Sequence, residues 1–367
     1  MMMKVTFPHM GHIWMCVKTI LERLGVEVVI PPPSSKRTLV LGSRYGPEFA
    51  CLPLKLNLGN FIEASEMGAD TILMAGGCGP CRFGYYAQVE HAILQDLGYQ
   101  YRLVVLEPPE LHIGQLLARI RVITGKNSWL RVFRAIQLGY RKIRALDELE
   151  MRSHYLRPRE IAAGSTDRAF REASEEINRA LSNEELPAAR WRAMEIMNSV
   201  PVRERDVLRI GIVGEIYTLL EPFVNLDLER RLGRMGIEVD RSIYLSEWVN
   251  DHLLSGRVKG LRSRKDACRA AAPYLKHFVG GHGQETVGNT ILYARAGCDG
   301  VIQVLPFTCM PEIVAQSILP VVSRELDIPV LTLTVDEQTG EAGMVTRLEA
   351  FVDLLEQRRA VARGLCV

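Results

Sequence analysis

The sequence lacks several features that would assign it to a specialised class of protein. Only 8 of its 367 residues are cysteines, and they are scattered, which excludes a disulfide-rich scaffold. The formal net charge is +2, so the chain lacks the overall basic field that binds nucleic acid or membrane surfaces. The most apolar stretch, residues 301–322, is interrupted by prolines and a glutamate. We therefore expect no nucleic-acid partner, no membrane partner and no transmembrane segment.

Signatures of a nucleotide site are missing as well. No Gly-Lys-Ser/Thr loop occurs, and no Gly-x-Gly-x-x-Gly follows the first predicted strand. The N-terminal residues predict a strand rather than a signal peptide, so we expect a cytoplasmic protein with reduced thiols. The remaining composition, 47% hydrophobic and 24% charged, is typical of a globular protein, and the length predicts two or three domains.

Short apolar runs alternate with helical patterns near both ends of the chain, which predicts parallel strands joined by helices. We predict strands at residues 4–7, 26–30, 71–75, 101–106, 209–213, 237–240, 300–305 and 330–335. Residues 111–206 instead show helical spacing throughout. The sequence thus predicts an α/β protein in which two Rossmann-like lobes, 1–110 and 207–367, flank a basic helical insert over 111–206. Each lobe is expected to contain a doubly wound, mainly parallel sheet.

The predicted insert is locally basic although the whole chain is nearly neutral. Residues 115–160 contain 11 Lys+Arg and 4 Asp+Glu. Such a run forms the solvated face of a helical segment or a docking face for an acidic partner or a phosphate-bearing ligand. Both interpretations stay open at this point.

The two lobes contain short similar segments in the same order, which predicts an internal repeat. The pairs are 21–28 with 231–239 and 68–72 with 297–302. A repeat would place Cys81 and Cys309 at equivalent ends of a central strand.

Four cysteines lie where open parallel sheets bind ligands, near the carboxyl ends of strands. Cys78 and Cys81 follow the predicted strand over 71–75, Cys309 follows the strand over 300–305, and Cys51 precedes a helix. Thiolates are favoured at helix N-termini, and that property suits metal ligation or redox chemistry. The remaining cysteines lie in contexts typical of structural residues; they are Cys16, Cys268, Cys298 and Cys366.

These cysteines permit two main functional interpretations. The tetrapeptide Cys78-Gly79-Pro80-Cys81 matches a dithiol–disulfide exchange site, but that chemistry leaves Cys51 and Cys309 unexplained. An iron–sulfur cluster held between the lobes by Cys51, Cys78 or Cys81, and Cys309 would use cysteines of both lobes, and Gly79 would let the backbone approach it. Structural zinc is a third possibility, although no second Cys-x-x-Cys or His pair accompanies it.

Two weaker signals lie in the second lobe. The turn Gly280-Gly281-His282 precedes a helix and could contact a cluster or a phosphate, with His282 as an acid, a base or a ligand. Glu215 follows the strand over 209–213, where it would serve a catalytic site or simply cap the next helix. We therefore include His282 and Glu215 as candidate catalytic residues and Gly280 and Gly281 as candidate cofactor contacts.

Four segments resemble the activase-related proteins ("CoA protein activase") of the 2-hydroxyacyl-CoA dehydratase and double-cubane cluster superfamily. These segments are Tyr-Gly-Pro-Glu-Phe-Ala-Cys-Leu-Pro-Leu-Lys at 45–55, Ala-Gly-Gly-Cys-Gly-Pro-Cys-Arg-Phe-Gly-Tyr-Tyr at 75–86, Gly-Gly-His-Gly at 280–283 and Pro-Phe-Thr-Cys-Met-Pro-Glu at 306–312. The resemblance covers nearly the whole chain, and its most specific segments are centred on cysteines.

The resemblance implies two Rossmann-like lobes and an iron–sulfur cluster, either 4Fe-4S or a double-cubane 8Fe-9S cluster. Cys51, Cys81 and Cys309 match the family's ligand positions, and Cys78 would be the fourth ligand. An ATP-hydrolysing activator would supply electrons for reduction of an acyl-CoA or another small molecule, and a homodimer is implied. The chain lacks the activator's own ATPase signature and so resembles the cluster-bearing partner. A non-catalytic scaffold that binds an activator through Arg131, Arg134 and Arg141 is a further alternative.

Overall fold

The structure, a computed structural model, describes residues 3–77, 80–107, 113–254 and 256–364. The chain packs as two compact units, unit 1 (Met1–Leu146 with Glu176–Trp191) and unit 2 (Asp147–Glu175 with Arg192–Val367). Each unit contains a four-stranded parallel sheet flanked by helices, which confirms the predicted α/β class. The helical segment 111–206 contributes residues to both units, and its standing as a separate domain stays a prediction.

The sheet of unit 1 has the strand order β2-β1-β3-β4. Its strands are β1 (Lys4–Thr6), β2 (Glu27–Val28), β3 (Thr71–Ala75) and β4 (Arg102–Leu106). β3 pairs with β4 over its whole length, from Thr71 opposite Arg102 to Ala75 opposite Leu106. The carboxyl ends of these parallel strands therefore share one edge of the sheet, the carboxyl edge.

Unit 1 also contains the helices that cover this sheet. They are α1 (Ile13–Arg23), α2 (Lys36–Tyr45), α3 (Leu52–Glu66), α4 (Tyr86–Asp96) and α5 (Ile113–Thr124), with a short 3₁₀ helix at Arg82–Tyr85. Three further helices contribute residues to both units: α6 (Trp129–Leu156), α7 (Ser165–Arg179) and α8 (Leu186–Asn198). Within the predicted helical segment 111–206, the described residues form helices from Ile113 to Asn198, whereas residues 199–206 are not helical.

Helix α3 begins at Leu52, directly after Cys51, and packs closely against α2. A Cβ atom at Gly42 would lie 1.6 Å from the carbonyl oxygen of Lys55, so only glycine permits this approach. Gly59 is equally constrained, since its Cβ would lie 2.0 Å from a carbonyl oxygen of α2. Packing thus buries the whole first half of α3, including its polar residues Lys55 and Asn57.

The sheet of unit 2 has the strand order β6-β5-β7-β8. Its strands are β5 (Arg209–Gly214), β6 (Glu238–Arg241), β7 (Gly300–Pro306) and β8 (Val330–Val335). Every residue of β7 is buried, as expected for a central strand covered on both faces. All eight predicted strands are present in the two units, and their ends differ from the prediction by at most two residues.

The helices of unit 2 surround its sheet and include one that contains a proline. They are α9 (Ile216–Leu220), α10 (Leu228–Arg234), α11 (Leu245–Leu253), α12 (Arg264–Ala271), α13 (Gly283–Arg295), α14 (Met310–Glu325) and α15 (Glu341–Ala362). Helix α14 continues through Pro320. None of the helices in the part of the chain that the structure describes is both long and apolar enough to cross a membrane.

Candidate functional site at the carboxyl edges of the two sheets

Cys51 and Cys81 lie at the same carboxyl edge of the sheet of unit 1. Cys81 follows β3 in the chain, whereas α3 leads into the opposite end of β3, which puts Cys51 at the carboxyl edge. Arg82 Nη1 donates a hydrogen bond of 2.9 Å to the carbonyl oxygen of Phe49. This bond joins the segment after Cys81 to the segment before Cys51.

The environment of Cys51 includes a tyrosine that the sequence did not single out. Cys51 is buried and occupies the N-cap position of α3. Its sulfur and the hydroxyl of Tyr86 are hydrogen-bonded. Tyr86 is buried and begins α4, and its ring meets the ring of Phe83 edge-on at a centroid distance of 5.4 Å. A phenol hydroxyl can donate to a thiolate, so this contact stabilises negative charge on Cys51.

The glycine-rich turn after β3 is packed against its own chain. A Cβ at Gly76 would lie 2.3 Å from Cγ of Glu107, and one at Gly84 would lie 2.7 Å from the carbonyl oxygen of Gly77. Close approach within unit 1 therefore accounts for these two glycines. The predicted ligand Cys78 and the predicted cofactor contact Gly79 lie outside the described residues.

Cys309 occupies the N-cap position of α14, directly after β7 in unit 2. The residue before it, Thr308, has a φ of +66°, in the left-handed region that β-branched residues rarely adopt. The strained turn carries the chain from the sheet into α14 and holds Cys309 in a buried position at the carboxyl edge. Its helix N-terminus favours an ionised sulfur.

The predicted glycine turn packs on the first turn of α14. Gly280 and Gly281 have φ values of +88° and +44°. A Cβ at Gly281 would lie 3.2 Å from Cγ of Pro311, and one at Gly283 would lie 2.2 Å from the carbonyl oxygen of Pro311. The turn 280–283 therefore needs glycine for backbone conformation and for contact with the segment after Cys309.

His282 is the N-cap residue of α13 and lines a cavity of about 50 Å³. His252, Arg264 and Glu285 also line it, and the rings of His252 and His282 are 6.5 Å apart between centroids. Burial lowers the pKa of His282 to about 4, so its imidazole is neutral at pH 7. A volume of about 50 Å³ holds water-sized molecules rather than a large cofactor.

Glu285 gives this cavity a buried acidic group. Its Oε1 pairs with Nε of Arg264, while its buried Oε2 has no hydrogen-bond partner among the described residues. A buried carboxylate oxygen without a partner is uncommon because burial without a hydrogen bond is costly. Glu285 lies in the first turn of α13 directly after the glycine-rich turn, a sequence signal that could have marked it as a site residue.

Glu215 is used as a helix cap in the structure. Its Oε1 accepts from the backbone N–H of Tyr217 at 3.0 Å, and its Oε2 accepts from that of Thr218 at 3.0 Å. Burial raises the pKa of Glu215 above its usual value, while these two hydrogen bonds act in the opposite direction. Both oxygens therefore have a structural task at the start of α9, and a catalytic role stays a prediction.

A second buried carboxyl, Glu312, lies in the first turn of α14. Its Oε1 is 3.0 Å from the hydroxyl of Thr286, and its Oε2 accepts from Nε2 of Gln303 at 3.0 Å. Burial, with smaller contributions from Glu215 and Glu285, raises the pKa of Glu312 to about 8. The sequence segment that contains Cys309 thus also contains an acid that is mostly protonated at pH 7.

Three of the four predicted ligands, Cys51, Cys81 and Cys309, lie among the described residues. Within residues 3–77, 80–107, 113–254 and 256–364, no three His, Cys, Asp or Glu side chains form a group suited to a metal ion. The predicted set includes Cys78, which lies outside these ranges. In donor chemistry Cys51 and Cys309 fit an iron–sulfur cluster, because each sulfur is buried at the N-terminus of a helix and a hydroxyl faces Cys51.

Comparison with protein-family models gives no match, and comparison with curated proteins finds none that is significantly similar to the chain. The positions and surroundings of the cysteines are therefore the observations that bear on function.

Proposed function

We propose that this chain is an iron–sulfur redox protein whose cluster ligands are Cys51, Cys78, Cys81 and Cys309. The observation that supports it best is the environment of Cys51, a buried helix N-cap whose sulfur is hydrogen-bonded to Tyr86. A purely structural cysteine needs neither the helix N-terminus nor a donor at its sulfur. Arg82 ties the segment of Cys81 to the same edge through its bond to Phe49.

The bound cluster would supply one-electron transfer. The chain's own residues would set its surroundings: the helix N-termini favour anionic sulfur at Cys51 and Cys309, and the Tyr86 hydroxyl would donate to the thiolate of Cys51. Glu312 holds a proton at pH 7 because burial raises its pKa to about 8. These features favour a reduced, negatively charged group at the carboxyl edges.

The likeness of the two sheets supports the finer proposal of two Rossmann-like lobes related by an internal repeat. Both sheets have their strands in the same order when numbered along the chain, with the first strand between the second and the third. In each, the third strand is followed by a predicted ligand, Cys81 or Cys309. The two pairs of similar sequence segments, 21–28 with 231–239 and 68–72 with 297–302, occur in the same order in both units and agree with this equivalence.

The resemblance to the 2-hydroxyacyl-CoA dehydratase superfamily supports the remaining parts of the proposal. The protein would accept low-potential electrons from an ATP-hydrolysing activator in the cytoplasm and pass them to an acyl-CoA or another small molecule. The cluster would be of the 4Fe-4S or the double-cubane type.

The ligand assignment is tested by replacing single cysteines and measuring iron and acid-labile sulfide after anaerobic purification and reconstitution. Cys51→Ser, Cys81→Ser and Cys309→Ser should each lower the iron content. Cys298→Ser is the matched control, since Cys298 is also buried but packs against apolar side chains at the start of β7. Full iron content in all three ligand variants would contradict the assignment.

The same variants distinguish the dithiol alternative. A dithiol–disulfide exchange site requires Cys78 and Cys81 and is insensitive to Cys51→Ser and Cys309→Ser. Disulfide reductase activity that survives both of these changes in an iron-free protein would favour that alternative.

A further inference from the structure

An uncovered apolar face lies on α5 and the first half of α6, both in unit 1. Six large apolar side chains on these helices are between 40% and 63% exposed: Leu117, Val122, Trp129, Leu130, Phe133 and Ile136. We call these six residues the α5–α6 face. Single exposed apolar residues are common, but a run of this size within two adjacent helices is typical of an interaction surface.

The exposed residues of α6 are not needed to bury α6 itself. Val132, Ala135 and Leu138 lie on its other side and are buried in unit 1. Trp129, Phe133 and Ile136 recur at the spacing of one helical face. The helix therefore has two apolar faces, and the core of unit 1 covers only one of them.

The surroundings of the α5–α6 face are positively charged. Residues 111–146 contain no Asp or Glu. Apart from the buried Lys142, they contain seven basic residues, each at least partly exposed: Arg119, Arg121, Lys126, Arg131, Arg134, Arg141 and Arg144. A like-charged surface disfavours pairing of this face with the same face of a second copy. A partner with negative charge around an apolar centre is complementary to it.

Two of the guanidinium groups are held in place beside the exposed side chains. Arg121 Nη1 donates to the carbonyl oxygen of Gly125 at 3.0 Å, and its guanidinium carbon lies 4.3 Å from the centre of the Trp129 ring. Arg131 Nε donates to the carbonyl oxygen of Arg23 at 3.0 Å. Fixed charges favour a partner whose carboxylates have fixed positions, because preorganised groups lose little entropy on binding.

An acidic side chain beside the α5–α6 face favours a folded protein over an anionic bilayer as its partner. The carboxylate of Glu184 is exposed, and hydrogen bonds with its own backbone and with Ser182, together with the charges of Arg134 and Arg23, hold its pKa below the usual value. A bilayer presents a broad negative potential that would repel this group. A folded partner can place its own carboxylates around Glu184.

We propose that the α5–α6 face docks a partner protein that presents an apolar surface flanked by carboxylates. The segment that joins α5 to α6 lies near the amino end of β2, because Asn127 Nδ2 donates to the carbonyl oxygen of Leu24, in the turn that leads into β2. The proposal rests on this surface alone and is independent of the iron–sulfur assignment.

The test uses the full chain and two labelled synthetic helical peptides that share a leucine stripe, one flanked by glutamates and the other by lysines. Fluorescence anisotropy should detect binding of the glutamate peptide only, and added salt should weaken it. The double variant Leu130→Ser/Phe133→Ser should weaken binding about tenfold or more, because two apolar anchors are lost. Trp191→Ser, at an equally exposed aromatic residue of unit 1, should leave it unchanged.

Other outcomes would overturn the proposal. Equal binding of the lysine peptide, or no binding of either peptide, would show that the charge argument is wrong. Binding to phosphatidylcholine–phosphatidylglycerol vesicles that the Leu130→Ser/Phe133→Ser variant abolishes would assign the face to a membrane surface. A wild-type dimer that the same variant converts into a monomer in sedimentation velocity would assign it to a second copy of the chain.

Discussion

Replacing Glu312 with glutamine should change how the stability of the protein depends on pH. Glu312 is fully buried, and burial raises its pKa from 4.5 to about 8. The folded state therefore keeps a proton that the unfolded chain releases above pH 4.5. Stability should fall as pH rises from 4.5 to about 8 and should then level off.

The hydrogen bonds around Glu312 explain why glutamine mimics its protonated form. Gln303 Oε1 accepts from the hydroxyl of Thr332 at 3.1 Å, which leaves Nε2 of Gln303 to donate to Oε2 of Glu312. The proton of the acid then belongs on Oε1, beside the Thr286 hydroxyl, which can accept it. A glutamine can place its amide nitrogen at Oε1 and its oxygen at Oε2 and so keep both bonds.

The magnitude follows from the linkage between proton binding and folding. Each pH unit between the two pKa values changes the free energy of unfolding by about 1.4 kcal/mol. Between pH 5.5 and 7.5 the wild type should therefore lose about 3 kcal/mol relative to Glu312→Gln. Urea unfolding of both proteins, followed by circular dichroism at several pH values, measures this difference.

A surface glutamate provides the control for this comparison. Glu349 on α15 is exposed, so Glu349→Gln should shift stability by a small amount that does not vary over the same pH range. A constant difference between wild type and Glu312→Gln at all pH values would show that the buried carboxyl is ionised in the fold and would refute the reasoning.

Three further substitutions test the local geometry. Gly283→Ala should destabilise the protein by about 1–3 kcal/mol in urea unfolding, because its Cβ would lie 2.2 Å from a carbonyl oxygen of α14; wild-type stability would contradict that contact. Arg264→Ala should lower the free energy of unfolding by about 2 kcal/mol, because it leaves the buried Glu285 without its ion pair. The control Arg269→Ala breaks an exposed ion pair with Asp266 on the same helix and should leave the urea midpoint unchanged. Tyr86→Phe should retain the iron content and lower the cluster's midpoint potential by on the order of tens of millivolts, since a donor to a ligand sulfur is lost; an unchanged potential in an EPR-monitored titration would exclude that role.

The strands and the cysteine positions could be predicted from the sequence because they are local properties. An apolar run such as that of β3 or β7 marks a buried parallel strand, and a cysteine that follows it lies at the carboxyl edge whatever the rest of the fold. The close packing of α2 against α3 was not predictable in this way. It depends on Gly42 and Gly59, which let α2 approach, and that contact joins parts of the chain that local patterns treat separately.

In the candidate site, too, some features follow from local sequence and others depend on packing. The sequence left two interpretations of Glu215, and only the backbone N–H groups of Tyr217 and Thr218 show that it caps α9. The contact of Tyr86 with Cys51 and the burial of Glu312 arise from packing between elements that are distant in the chain. Residues 111–146 were recognisably basic in the sequence, but which apolar side of α6 is covered depends on tertiary structure.

The central claim is that the four cysteines hold an iron–sulfur cluster. Its most direct test is quantification of iron and acid-labile sulfide in the wild-type protein, purified and reconstituted under strictly anaerobic conditions. We predict a coloured protein that contains both elements in stoichiometric amounts per chain. A colourless protein that contains neither, even after reconstitution, would contradict the claim.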